Sequence, residues 1–468
     1  PGRTYSRKDV DNTVEVISDR LAEEGYSYAE VVPVPEIDRE ARTVAFSINI
    51  KPGRRVYVRR IDIIGNELTN DAVIRREMRQ TEGGAFSPSR VNRSKVRLQR
   101  LSFFDEVEIE TNPVAGRDDQ VDLQVIVKER PTGSFLFGLG YSGDNGALVQ
   151  ASVSQANLFG TGNQLNFNVQ RSSFIEAVTL QYTNPYYTKS GISRTIGLSG
   201  RSIDSARANT SEYITETLGL NVRYLFPINE HNSFSLGAGL ERIDLQSTIF
   251  TVPEIREFID NSPENDLLTL STAFVHDTRD SLLYPTDGNE FRVSLDASAP
   301  GSDLEFYRVN VDASTYFPFT QRAALKLAAD IGYGDGYGDT EELPFFKNYF
   351  AGGSRSVRGY EARSLGPRDS SARQDPLGGS KRVLLNASLL LPVGDDALDK
   401  RLQLFVDAGQ VYGPEESFDS SKIRVTAGVG FNWISPVGPL SISYAFPLNE
   451  EDGDEIEKFQ FSVGQLIQ

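Results

Sequence analysis

From Gly133 to its end the sequence is a train of long segments in which apolar and polar residues alternate. That pattern limits the fold more than any motif does. Tyr307, Val309, Val311 and Ala313 alternate with Arg308, Asn310, Asp312 and Ser314, and Phe135, Phe137, Leu139 and Tyr141 form another such set. Period-two alternation gives a strand with one apolar and one polar face. Gly, Asn, Pro and Asp turns separate the segments. They run 133–141, 147–156, 162–172, 175–184, 191–202, 213–226, 232–246, 267–277, 290–298, 304–317, 322–334, 382–392, 401–411, 423–434, 438–446 and 457–467, sixteen in all. Soluble strands average about 5–6 residues, and these are nearly twice that. A soluble sandwich or propeller therefore fits poorly, and no blade-type repeat is visible. Each segment is about long enough to cross a bilayer when tilted. The expected fold is membrane all-β, a 16-stranded antiparallel transmembrane β-barrel. No apolar run approaches the roughly 18 residues of a transmembrane helix, which a barrel does not need.

The connections have a parity. Asn157–Thr161, Pro227–His231, Pro318–Arg322 and Ser435–Val437 are short and fall on one rim. Residues 247–266, 335–381 and 412–422 are longer and fall on the other. Short periplasmic turns and long outer loops are the habit of outer-membrane barrels. An even strand count puts both barrel ends on the periplasmic rim.

Residues 1–131 read differently. Val14, Ile17 and Leu21 mark one helix face, Ile74 and Met78 a second, and Val91, Leu98 and Leu101 a third. Thr69 and Asn70 are cap candidates for the second helix. Alternating strands lie between: Val44 to Ile50, Val56 to Ile63 and Val121 to Val127. Leu21, Tyr26, Val44, Phe46, Ile48 and Ile50 recur as Leu98, Phe103, Val121, Leu123, Val125 and Val127 at a constant offset of 77. The repeat is a β-α-α-β-β unit. Its second copy, 56–131, is complete. The first, 1–55, lacks its opening strand and helix, so the chain is expected to begin inside a module with others before it. The barrel takes 132–468.

Composition removes several chemistries. There is no cysteine, which excludes disulfides, zinc–thiolate sites, iron–sulfur clusters and thiol nucleophiles. Only His231 and His276 exist, too few for a His-rich metal site. A net charge of −17 disfavours general nucleic-acid binding. The chain opens Pro1-Gly2-Arg3-Thr4, without a signal peptide. Gly138, Gly140 and Gly143 match G-x-G-x-x-G but lie in a strand with another strand following, so they read as barrel wall. No P-loop is present. His276-Asp277 lacks a nucleophile elbow, and a solvated or lumen-facing histidine is the plainer reading. Asp452, Asp454, Asp335 and Asp339 lack the twelve-residue calcium pattern and read as acidic outer loops. No enzymatic activity, cofactor or metal is expected.

The longest loop carries the candidate site. It runs Phe350-Ala-Gly-Gly-Ser-Arg355-Ser-Val357-Arg358-Gly359-Tyr360-Glu-Ala-Arg363-Ser-Leu-Gly-Pro. Long loops without secondary structure are usually functional or disordered. The polar set of each strand faces the lumen, which places Arg308, Asn310, Asp312 and Asp407 inside. A lone carboxylate there needs a cation. Spacing alone balances a flexible surface loop against one folded inward with Arg358 on Asp407.

At this point the sequence resembles a known family. Val357-Arg358-Gly359-Tyr360, in a long loop late in a sixteen-strand barrel, is similar to the signature of the outer-membrane-protein insertases. The β-α-α-β-β units resemble their periplasmic POTRA modules. Further stretches carry the resemblance from end to end: Arg75 to Gln80, Lys128 to Arg130, Thr132 to Phe135, Thr183 to Tyr186, Phe226 to Glu230, Tyr284 to Gly288, Trp433 to Pro436 and Phe459-Gln460-Phe461.

The resemblance implies a bacterial outer-membrane protein that folds and inserts unfolded β-barrel clients without ATP. Accessory lipoproteins, periplasmic chaperones and outer-membrane lipid would be its partners. Carried over by position, Arg358 is the tip arginine of an inward loop and Asp407, in Phe405-Val406-Asp407-Ala408-Gly409, is its strand partner. The first and last strands match the family's lateral seam, with Gly133, Phe135, Phe137, Phe459, Phe461 and Gly464 on it. Gly464 permits a kink there, and Gly133, Gly138 and Gly140 weaken the facing strand. The ending Gln465-Leu466-Ile467-Gln468 departs from the family's usual terminal aromatic. The alternative is a two-partner secretion-type polypeptide transporter, which shares the modules and the loop motif. A passive porin leaves the repeats unexplained, and an outer-membrane hydrolase lacks a nucleophile–base pair.

Overall fold

The computed structural model describes residues 4–282, 284–320, 322–394, 399–435 and 438–464. The chain forms two compact units. One is Pro1–Gly133 with Gln155–Asn163, and the other is Ser134–Ser154 with Gln164–Gln468.

The first unit opens with α1 (Arg7–Glu23) and the hairpin β1 (Glu30–Asp38) and β2 (Thr43–Lys51). Then come β3 (Tyr57–Ile64), α2 (Asp71–Glu77), α3 (Pro88–Arg100), β4 (Phe104–Val114) and β5 (Arg117–Glu129). Strand β5 is central, parallel to β3 and antiparallel to β4. The apolar pattern of β3 skips from Val58 to Ile61, and its register with β5 shifts between Val58 and Arg60. That irregularity keeps Val56, Val58 and Ile61 all facing the core, against Ile74, Leu98, Leu123 and Val125.

Ser6 and Ser87 cap α1 and α3 through their side chains. Asn70 is the N-cap residue of α2, but its side chain makes no capping bond. Ahead of α2, Glu129 accepts the amides of Leu68 at 2.8 Å and Thr69 at 2.6 Å. Burial pushes its carboxyl up. The Thr69 hydroxyl and neighbouring amides outweigh that and hold it below the ordinary glutamate value.

The second unit is a closed barrel of sixteen strands. Its first eleven are β6 (Gly133–Ser142), β7 (Gly146–Leu158), β8 (Asn163–Arg171), β9 (Ile175–Asn184), β10 (Ser193–Asp204), β11 (Tyr213–Pro227), β12 (Asn232–Ser247), β13 (Glu264–Asp277), β14 (Gly288–Ser298), β15 (Phe306–Pro318) and β16 (Ala324–Gly336). The loop strand β17 (Gly359–Tyr360) intervenes. The wall resumes with β18 (Lys381–Pro392), β19 (Lys400–Tyr412), β20 (Arg424–Ser435) and β21 (Gly438–Pro447). After the two-residue β22 (Ile456–Glu457), β23 (Phe459–Val463) closes the barrel onto β6. The alternating segments are these strands, with ends displaced by a few residues. Gln465 to Gln468, including the non-aromatic terminus, lie outside the described residues.

The outward apolar set is exposed, as lipid requires. Phe135, Leu139, Leu218, Leu240, Leu270, Leu404, Val406 and Phe446 all point away from the lumen. The parity of connections holds with exceptions on both rims. Residues 143–145 and 172–174 are short outer turns, and 278–287 is a ten-residue periplasmic one. Arg401 folds that turn back, donating to the carbonyls of Tyr284 and Pro285, each at 3.0 Å.

One of the longer outer connections holds a helix. Helix α4 (Pro253–Asn261) packs Ile255, Phe258 and Ile259 on Tyr213, Ile243, Leu245, Leu267 and Phe306. Phe345 of the long loop joins them, 4.7 Å from the Tyr213 ring. Together they form an apolar cluster between α4, the barrel wall and the long loop.

Candidate functional site

The long loop turns inward. Arg358 Nε donates to Asp407 Oδ2 at 2.7 Å, and Nη2 to Oδ1 at 2.8 Å. The Arg358 backbone amide adds a third bond to the same carboxylate, at 3.2 Å. The guanidinium also lies 3.3 Å from the Phe405 ring centroid. Alternation along β19 explains this arrangement. Phe405 and Asp407 face the lumen, Val406 and Ala408 face lipid. Asp407 is 0% exposed, so only a partner with paired donors satisfies it. Asn386, its register neighbour on β18, donates to Oδ1 as well.

The flanking motif residues are buried too. Val357 packs with Ala351, Tyr360, Leu365, Leu384 and Val411. Gly359 has φ +97°, and a Cβ there would lie 2.9 Å from the Ala445 side chain, so glycine is required on both counts. Gly359 and Tyr360 form a two-residue antiparallel ladder with Glu457 and Ile456.

One residue of this site escaped the sequence reading. Gln460, 2% exposed, sits on β23 and reads the motif's backbone. Its Nε2 donates to the Tyr360 carbonyl at 2.8 Å, and its Oε1 accepts the Gly359 amide at 3.4 Å. The available signal was its position between the outward Phe459 and Phe461.

Lower in the loop, Tyr349 lies between two guanidinium groups, 4.4 Å from Arg308 and 5.2 Å from Arg382. Arg382 holds Asp330 through Nη2, and Lys347 reaches Glu241 at 3.2 Å. The loop therefore sets Tyr349 and Lys347 against charged side chains of the barrel wall.

The barrel closes between β23 and β6. The β11–β12 ladder runs from Tyr213–Ser247 to Pro227–Ser233. Among the described residues, β23 meets β6 in two pairs, Ser462–Ser142 and Val463–Tyr141. The rings of Tyr141 and Phe461 stack at 5.4 Å. Gly464 has φ +74° and lies against Gly140, where a Cβ on either would crowd the other strand's backbone. The expected seam residues are thus divided. Phe461 and Gly464 lie at the junction, and Phe459 stands just above it. Gly133, Phe135 and Phe137 lie on the half of β6 that meets no described residue of β23, because the register pairs the other end of that strand.

The remaining candidates have ordinary partners. His276 contacts Asn232 Oδ1 at 2.8 Å, and Asp277 pairs with Arg279. Asp454 binds Arg424, and Asp335 accepts the Tyr333 hydroxyl. Gly138, Gly140 and Gly143 lie along and just beyond β6. Among the described residues no group of three or more His, Asp or Glu is placed to hold a metal ion.

With this geometry in place, residues 157–467 match the Omp85 superfamily domain. The chain belongs to the Omp85 superfamily. Residues 1–53 and 56–130 match the POTRA family, described as a surface antigen variable number repeat. The outer membrane protein assembly factor BamA of Neisseria meningitidis serogroup B is 34% identical, over 99% of this chain and 63% of that protein. The BamA of Nitratidesulfovibrio vulgaris is 30% identical, over 99% of this chain and 58% of that protein. The chain thus spans about three fifths of these relatives.

The crystal structure of BamA from Haemophilus ducreyi lacking POTRA domains 1–3 superposes with a TM-score of 0.87 at 32% identity, covering 99% and 94% of the two chains. CdiB from Acinetobacter baumannii, at 15% identity and a TM-score of 0.57, shares the fold alone. The chain is an Omp85 barrel of the outer membrane with periplasmic POTRA modules, and its relatives are assembly factors.

Proposed function

We propose that the protein to which this chain belongs is an outer-membrane-protein insertase. It takes unfolded β-barrel clients delivered by periplasmic chaperones and folds them into the outer membrane, together with accessory Bam lipoproteins. It does so without ATP and without enzymatic chemistry of its own. The single observation that carries this reading is the close approach of Gly464 on the last strand to Gly140 on the first at the β23–β6 junction, since glycine weakens strand pairing. A bilayer cannot solvate open N–H and C=O groups, and each one left unmade costs several kcal/mol. A strand edge that parts there is captured at once by another strand, which is β-augmentation. Successive capture of client strands at the seam is the insertion step. A weakly paired seam also thins the adjoining bilayer and lowers the barrier to entry.

The absence of native cysteine makes the test direct. Tyr141→Cys and Val463→Cys place two thiols at paired positions in the full-length protein. In proteoliposomes with the accessory lipoproteins, oxidation is expected to stop folding of a barrel client and reduction to restore it. Equal client folding with the seam locked would eliminate the lateral mechanism. No folding in either state would move the transporter reading ahead.

A further inference from the structure

The long loop touches more than Asp407. It is fastened to both sides of the seam, and this carries an inference that rests on the seam reading above. On the last-strand side, Gln460 holds Gly359 and Tyr360 by their backbone, the β17–β22 ladder continues the grip, and the Glu361 amide donates to the Glu455 carbonyl at 2.8 Å. On the first-strand side the anchor is Asp144, in the turn that joins β6 to β7. Its carboxylate accepts the Ser354 hydroxyl at 2.5 Å and the Ser354 amide at 3.1 Å. Arg363 of the same loop donates to the Asp144 carbonyl at 3.2 Å and to Asn145 Oδ1 at 3.3 Å, with its guanidinium 4.4 Å from the Phe174 ring centroid. Arg363 has φ +65°, a left-handed backbone that a non-glycine residue keeps only where its surroundings over-determine it.

We infer that the loop is a clasp across the seam, with Gln460 and Asp144 as the positioning residues of its two ends. The physical reason is that one loop bonds to both sides of the same junction. The Gln460 bonds are buried and those to Asp144 are part-buried. The buried bonds are strong where water cannot compete. The loop therefore adds a second set of ties to the strand pairing at the seam. A client edge that displaces β23 must also free Gly359 and Tyr360 from Gln460. Arg358 on Asp407 is a third point, on the wall away from the junction, and it keeps the loop in the lumen when either end lets go.

Two anchors acting in series make a specific prediction. Releasing either end undoes the clasp, so the double variant behaves like each single one. The measurement is amide hydrogen exchange of the full-length protein in lipid, without client, for Gln460→Leu, Asp144→Ala and both together. Exchange over residues 138–142 and 459–463 should rise at least fivefold in each single variant, no further in the double, and not at all over 213–227. A general loss of barrel stability would raise all three segments alike and overturn the inference. Unchanged seam exchange in the single variants, or single effects that multiply in the double, would also overturn it. If Gln460→Leu yields no heat-modifiable barrel, Asp144→Ala decides alone, since it alters an outer turn rather than a strand. Exchange is read without client, so failure of the clasp leaves the insertase test standing, and the reverse holds too.

Discussion

Arg358 shows how much one lumen pair demands. Its guanidinium presents two parallel donors to a carboxylate with no access to water, and Phe405 covers its face. Lysine supplies one point charge, so Arg358→Lys should leave Asp407 partly unsatisfied. Asp407→Ala should be worse, because it strands a buried cation, at a cost of about 3–5 kcal/mol. The measurement is the temperature at which the folded band disappears in heat-modifiability gels. The expected order of stability is parent, then Arg358→Lys, then Asp407→Ala. Equal midpoints would mean that the pair adds nothing to the closed barrel. Asp407 itself was legible from alternation, which fixes the face of every strand residue. Its partner was not, because spacing along a 44-residue loop, 337–380, leaves its direction open.

At the scale of elements, the wall was readable because lipid outside and polar lumen inside impose one period on every strand. Helix α4 was not. Its Pro253 start and the Ile255, Phe258, Ile259 spacing are helical signals, but nine residues inside an outer loop give them little length in which to stand out. Gln460 was hidden for a different reason. A polar residue facing the lumen is what every strand provides, and nothing in the sequence distinguishes the one that reads a loop's backbone.

In the complete POTRA module, Glu129 illustrates a contact between β5 and the approach to α2 that no local pattern announces. Its folded value is depressed, so the stabilisation is complete above the ordinary glutamate value of about 4.3 and is lost as pH falls through the lowered one. Exchange protection of the Leu68 and Thr69 amides is expected to be full at neutral pH and to fall only as pH drops through the lowered value of Glu129. Glu129→Gln should lower that protection by about 1 kcal/mol and flatten its pH dependence. Unaltered protection in the variant would assign those amides another acceptor.

The whole molecule separates two solvents that strand alternation keeps one residue apart. Val406 faces lipid and Asp407 faces the lumen. Val406→Arg should therefore destabilise the barrel by about 2–4 kcal/mol if the position lies at the bilayer midplane, the usual cost of a cation there. The check is urea unfolding in lipid vesicles. A change below about 1 kcal/mol would put Val406 near an interface instead.

The packed interior has a consequence for the cell that owns such a barrel. Tyr349, held between Arg308 and Arg382, and Phe345, packed with α4, draw the long loop into the lumen. A barrel with its lumen so occupied is expected to pass few solutes. Deleting the loop should open a path through the lumen, visible as channel conductance in planar bilayers and as drug sensitivity of the cell; unchanged conductance would mean that other side chains block the channel.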